Sequence, residues 1–187
     1  MKKFLKLMLF FSLVLAAVYA ARGDFSVFLK KLYPFDYKLE ISAAAAENNL
    51  DPYLVAALIK AESGFNENAH SHIAHGLMQL TDDTARFVSE KTGLDYDKRL
   101  EPRTNIRMGC WYLAYLIDKF GDIHTALCAY NAGPATVTRW LSDSEISAGG
   151  KKLDKIPFGE TDGYVDKIRR YYKTYKKLYG GKSELEF

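Results

Sequence analysis

The sequence predicts a mainly α-helical domain, and three observations carry that expectation. Apolar residues recur at spacings of three and four, glycines and prolines punctuate the chain at helix-length intervals, and no alternating apolar and polar run is long enough for more than a minor strand. With 187 residues, 48% of them apolar, the chain can bury one sizeable core but not two generous ones.

The elements follow in order. Residues 1–21 place Lys2, Lys3 and Lys6 ahead of and within an apolar run that reaches Ala21, the layout of an export signal. Val18-Tyr19-Ala20 offers a small-residue cleavage site, while the run from Phe4 to Ala21 is almost long enough to span a bilayer, so a cleaved signal and a retained N-terminal membrane anchor are the two expectations. Either places the mature protein outside the cytoplasm, in the cell envelope or beyond. The formal charge of +3 rests on this segment, since without residues 1–20 the chain has 23 basic and 23 acidic residues. The basic balance therefore does not imply nucleic acid as a partner. Residues 22–37, aromatic and containing Pro34, read as a linker or a wrap, and residues 38–182 as the domain.

Within the domain, LEISAAAAENN is rich in strong helix formers. The next helix, in LDPYLVAALIKAES, has Asp51 as N-cap, Pro52 at the first helical position and Gly64 as its stop. Further helices are expected over Asp83–Lys91, Thr104–Phe120, Ile123–Asn131 and Pro134–Leu141, with Gly93, Gly121 and Gly133 marking ends. A polar connector leads to a last helix whose Tyr164, Ile168, Tyr171, Tyr175 and Leu178 share a face. Its basic residues Lys167, Arg169, Arg170, Lys173, Lys176, Lys177 and Lys182 read as a solvated face, or as a patch for anionic wall polymers or a membrane surface. Mid-helix Gly109 implies a close helix contact. Cys110 and Cys128 fall on adjacent helices, where the usual spacing of axes favours two buried thiols over a disulfide.

One acidic residue breaks the pattern. Leu54, Leu58 and Glu62 stand at i, i+4 and i+8, with Val55 and Ile59 beside them, so a carboxylate lies on an apolar stripe in the last turn of a helix. Desolvation and the negative end of the macrodipole both disfavour its charged form, raise its pKa and make it a general acid near neutral pH. The plain alternative is a glutamate that ends its helix by pointing to solvent.

AESGFNENAHS, HGLMQL, AYNAG and IPFGETDGYV occur in that order, and together they resemble the lytic transglycosylases of the lysozyme-like superfamily, over about Ala44 to Tyr172. The resemblance implies a lysozyme-like helical domain with a substrate cleft, and no cofactor or metal. Glu62 then matches the catalytic acid and base, followed by Ser63. Ser71 matches a serine that helps hold the substrate's N-acetyl group, and Met78 and Gln79 belong to the signature bordering the scissile bond. Tyr130 matches a tyrosine whose hydroxyl approaches the catalytic carboxyl, with Asn131 beside it. Glu160 matches a carboxylate at the cleft wall, with Tyr164 one helical turn on. The loop SHIAHG departs from the pattern, with Ile73 where a glycine is usual, and Thr81-Asp82 replaces a common Met-Pro.

The implied reaction cleaves the β-1,4 bond between N-acetylmuramic acid and N-acetylglucosamine in peptidoglycan glycan strands. One glutamic acid serves as acid and then as base, and a 1,6-anhydro sugar forms. A water-using muramidase of goose-lysozyme kind, with Asp82 or Asp83 as base, and a non-catalytic wall-binding protein are the alternatives. Aromatic residues such as Phe65, Tyr130 and Tyr164 are candidate platforms for sugar rings. His70, His72 and His75 crowd one loop, but their spacing does not put them on one helical face and matches no zinc pattern.

Overall fold

The computed structural model describes residues 2–180. Met1 and residues 181–187, with Lys182 of the basic face and the end of the expected 38–182 domain, lie outside the described residues, as do the side chains of Lys2, Lys3 and Lys6. The chain divides into two compact units after Pro34.

The first unit is one helix, α1 (Lys2–Leu32). The stretch expected to act as a linker from residue 22 thus begins as helix. Nothing between Lys2 and Leu32 breaks the backbone ladder, whereas Pro34 disfavours helical geometry in the residue before it. Met8, Phe11, Leu13, Val14, Val18, Phe25, Val27 and Phe28 are exposed along α1. Among the described residues no helix is long and apolar enough to cross a membrane.

The second unit runs through α2 (Lys38–Glu47), α3 (Pro52–Glu62), β1 (Ala74–His75), β2 (Leu80–Thr81) and α4 (Asp82–Thr92). A 3-10 turn (Tyr96–Lys98) leads to α5 (Pro102–Phe120), α6 (Ile123–Ala132), α7 (Pro134–Leu141) and α8 (Gly159–Tyr179). The ends follow from local chemistry. Asp51 accepts the Tyr53 N–H at 2.8 Å ahead of Pro52, Thr81 and Asp122 cap α4 and α6 through their side chains, and Gly93 and Gly121 close helices with φ of 75° and 67°. The antiparallel pair β1 and β2, in register Ala74 to Thr81 and His75 to Leu80, is a minor hairpin closed by residues 76–79.

Helix α3 forms the axis of the core. Leu54, Val55, Ala56, Ala57, Leu58 and Ile59 are all buried, so it is enclosed on every side rather than along one stripe. Its closest companion is α8, which runs antiparallel to it and is tied to it along its length. Tyr53 donates its hydroxyl to the Tyr179 carbonyl at 2.7 Å, and Asp51 accepts from Tyr172 at 2.9 Å and from Lys176 at 3.3 Å. Lys167 donates to the Ala61 carbonyl at 3.2 Å, and Tyr164 donates to Glu62.

This packing corrects two readings of α8. The buried stripe consists of Thr161, Tyr164, Val165, Ile168, Tyr172 and Tyr175, so Tyr172 replaces Tyr171 and Leu178 is only half-buried. Two adjacent tyrosines compete for one register, and Asp51 decides between them by accepting from Tyr172. The basic residues also divide: Lys167 and Lys176 turn toward α3, and Arg169 pairs with Asp166 at 3.1 Å.

Cys110 and Cys128 are free and buried. Burial pushes both thiols up, Cys128 to about 12, so they behave as small apolar fillers. Gly109 makes the close contact its position implied, but with the turn after β1 and not with a helix. A Cβ there would stand 2.8 Å from Met78 Cβ. Gly109→Ala gains about 1 kcal/mol in helix propensity and loses roughly 1–3 kcal/mol by overpacking a fully buried methionine. The expected result is net destabilisation, read as a lower urea midpoint; a raised midpoint would show that the contact yields freely.

Candidate active site

Glu62 ends α3, where that enclosed helix delivers its last side chain to the edge of the core. Burial raises its pKa from 4.5 to about 7, against the opposing pull of a Tyr164 hydrogen bond and the Lys167 charge. Near neutral pH the group therefore populates both protonation states, so it can give up a proton and take one back. The reading of Glu62 as a solvated helix end does not fit this placement.

Tyr164, reached from α8, donates its hydroxyl to Glu62 Oε1. Burial and the neighbouring carboxylate hold the phenol well above 10, so it stays a donor. Tyr130, whose hydroxyl was expected to approach the carboxyl, donates that hydroxyl to the Met78 carbonyl at 2.8 Å. It remains near enough for the Glu62 charge to help raise its own pKa, after burial. The aromatic that hydrogen-bonds the Glu62 carboxyl is Tyr164.

The turn between β1 and β2 is built by backbone geometry. Gly76 has φ +78°, and a Cβ there would meet Asn105 Cγ at 2.8 Å, so only glycine fits. Gln79 adopts φ 47° and folds its amide back onto the Ala69 and Gly76 carbonyls, at 3.0 and 2.9 Å. Met78, expected to border the substrate, has a fully buried side chain, and its contribution is the backbone carbonyl that Tyr130 grips. Asn105 of α5, 1% exposed, holds the turn from beneath. Its Oδ1 accepts the Met78 N–H at 2.8 Å, and its Nδ2 donates to the Arg99 and His75 carbonyls at 2.9 and 3.3 Å.

The remaining expected residues fall into three groups. Ser63 and Ser71 serve their own backbones. Ser63 Oγ donates to Ile59 O and accepts from Phe65 N, both at 3.2 Å, and Ser71 Oγ accepts from Ala74 N at 3.1 Å. Asn131 is exposed and accepts from Thr161 at 2.8 Å, which joins the end of α6 to the first turn of α8, where Glu160 is exposed. Asp82, weighed as a base, accepts from Arg99 at 2.8 Å, and that bond lowers its pKa. Asp83 is exposed in the first turn of α4, beside a groove shared with Phe87, Tyr112 and Tyr115. Among the described residues no group of three His, Cys, Asp or Glu could hold a metal ion.

Three residues at the site went unremarked in the sequence: Asn105, Thr161 and Lys167 in this role. Asn105 carried a signal, because it shares a buried face of α5 with Ile106, Met108 and Tyr112. A polar residue in that position is as informative as Glu62 on its stripe.

The family description "Transglycosylase SLT domain" matches residues 40–152. The soluble lytic murein transglycosylase of Salmonella typhimurium is 33% identical over 165 residues, which cover 84% of this chain and 25% of that protein. The crystal structure of the 70 kDa soluble lytic transglycosylase of Escherichia coli superposes with a TM-score of 0.73 at 31% identity, covering 82% of this chain and 26% of that one. An inactive Glu-to-Gln mutant of lytic transglycosylase Slt from Pseudomonas aeruginosa gives a TM-score of 0.70 at 32% identity, over 80% of this chain and 25% of that one. The chain thus spans about a quarter of the length of the relatives it matches.

Proposed function

Because the chain belongs to the transglycosylase SLT family and has its mainly α-helical, lysozyme-like fold, we propose that it is a peptidoglycan lytic transglycosylase acting in the cell envelope. The observation that carries this reading is a single carboxyl, Glu62, raised to a pKa of about 7 by burial and held by a tyrosine hydroxyl. Its partner Tyr164 orients the acid without competing for its role.

In the proposed reaction the glutamic acid protonates the glycosidic oxygen between N-acetylmuramic acid and N-acetylglucosamine, and the bond from that oxygen to C1 breaks. Positive charge at C1 is met by the substrate's own acetamido group, so no second carboxylate is needed. Glu62, now a carboxylate, takes the proton from the C6 hydroxyl as that oxygen bonds to C1. The ring closes to the 1,6-anhydro sugar, the carboxyl regains its proton, and no water is consumed. Asp82, engaged by Arg99, is poorly disposed to be the base of a water-using alternative. Gln79, Asn131, Glu160 and the Ser63 and Ser71 turns are proposed to shape the cleft walls. For the N-terminal segment, residues 1–21, the proposed roles are export signal or membrane tether, supported by its basic start and the exposed apolar side chains of α1.

Mass analysis of the fragments released from purified peptidoglycan tests the reaction. Products one water lighter than hydrolysis would give are expected; full-mass reducing ends would replace the proposal with a muramidase.

A further inference from the structure

Lys167 is absorbed neither by the proposed reaction nor by the basic surface to which its spacing assigned it. In a regular helix the Ala61 carbonyl would accept from the Phe65 N–H, but α3 ends at Glu62, Gly64 and Phe65 turn away with φ 62° and 71°, and that N–H goes to Ser63 Oγ. The Lys167 ammonium takes the orphaned carbonyl at 3.2 Å, at the negative end of α3 and one residue from Glu62. It also stands 5.9 Å from the centroid of the Tyr164 ring, whose hydroxyl holds Glu62. Among the described residues Lys167 joins no ion pair within 4.0 Å, so its charge is not spent on a surface carboxylate.

We propose that Lys167 is a positioning residue for the glycan-cleaving reaction: moored to the last turn of α3, it fixes Tyr164 against Glu62 and offsets the negative charge that Glu62 acquires on giving up its proton. This rests on the transglycosylase reading of the site. The carboxylate left by the first step keeps the Tyr164 hydrogen bond, which favours its charge more than Lys167 does, and has one cation acting on it. From α6 it is faced by the neutral Tyr130, and from α8 by the neutral Tyr164 and by Lys167. Helix α2, also packed on α3, brings Lys38, Glu40 and Glu47, of which Glu47 pairs with Arg107 at 3.3 Å. Lys167 is therefore the cation that acts on Glu62, close enough to stabilise its charge yet outside ion-pairing distance. A direct ion pair would hold the carboxyl ionised and leave no acid to begin the reaction; a charge set one step back favours both halves of the cycle.

The test is titration of the Glu62 carboxyl by carbon-13 NMR in the full chain without substrate, alongside the pH profile of kcat and KM on purified peptidoglycan. Lys167→Met is expected to move the Glu62 midpoint to higher pH, to move the alkaline limb of kcat with it, and to lower kcat roughly tenfold with little change in KM. Lys167→Arg restores both. Lys167→Gln keeps a donor for the Ala61 carbonyl without the charge, and is expected to shift the midpoint even if Lys167→Met folds poorly. A midpoint that stays put in folded Lys167→Gln and Lys167→Met overturns the proposal. The titration requires no turnover, so a wild type that cleaves no glycan would sink the enzymatic reading separately.

Discussion

Glu62→Gln is expected to abolish glycan cleavage and, at pH 8, to make the protein more stable. An amide fills the same space and can still accept the Tyr164 hydroxyl, but it has no proton to deliver, so a loss of about a thousandfold or more in kcat follows. The stability gain comes from proton linkage. The Glu62 pKa is about 7 in the fold and 4.5 unperturbed. Between those values the folded protein keeps a proton that the unfolded chain releases. Wild-type stability therefore falls as pH rises through this window and levels off above it. The glutamine variant escapes that loss, and should exceed the wild type by roughly 1–3 kcal/mol at pH 8 and by nothing at pH 4. Urea unfolding at the two pH values measures it. Retained cleavage by the variant would dismiss Glu62 as the acid, and a variant no more stable at pH 8 than at pH 4, relative to wild type, would show that the carboxyl is not desolvated.

Asn105→Ala is the substitution expected to cost the fold most. Three hydrogen bonds disappear, and the Met78 N–H is left buried without its acceptor, for about 3 kcal/mol in all. The damage is also functional, because the same side chain sets the turn whose carbonyl anchors Tyr130 and whose Gln79 closes on Ala69. Activity at a temperature where the variant remains folded should drop by about tenfold or more. A variant with a wild-type urea midpoint would mean that the turn is held by its neighbours and that Asn105 is dispensable.

How much of this was legible before the fold was known depends on how local the cause is. Asp51, Pro52, Gly93 and Gly121 announced their helix ends because capping is settled within a few residues. Glu62 announced itself because a carboxylate on an apolar stripe conflicts with its surroundings. The choice between Tyr171 and Tyr172 could not be read, since it depends on Asp51, more than a hundred positions away. Which hydroxyl bonds the Glu62 carboxyl was not legible for the same reason: Tyr130 and Tyr164 both lie close enough to feel its charge, and the antiparallel docking of α8 on α3 gives the hydrogen bond to Tyr164. Gly109 announced a close approach without revealing what approaches, because a missing Cβ says nothing about its neighbour.

That docking has a consequence in time. The carboxyl is carried by residue 62, but the hydroxyl and ammonium that equip it belong to residues 164 and 167, beyond the stretch 40–152 that matches the family. A ribosome delivers these pieces in that order. A nascent chain holding the first seven helices still lacks the hydroxyl and ammonium that hold this end of the third, and the proposed site is whole only when the closing helix is complete and settles along it.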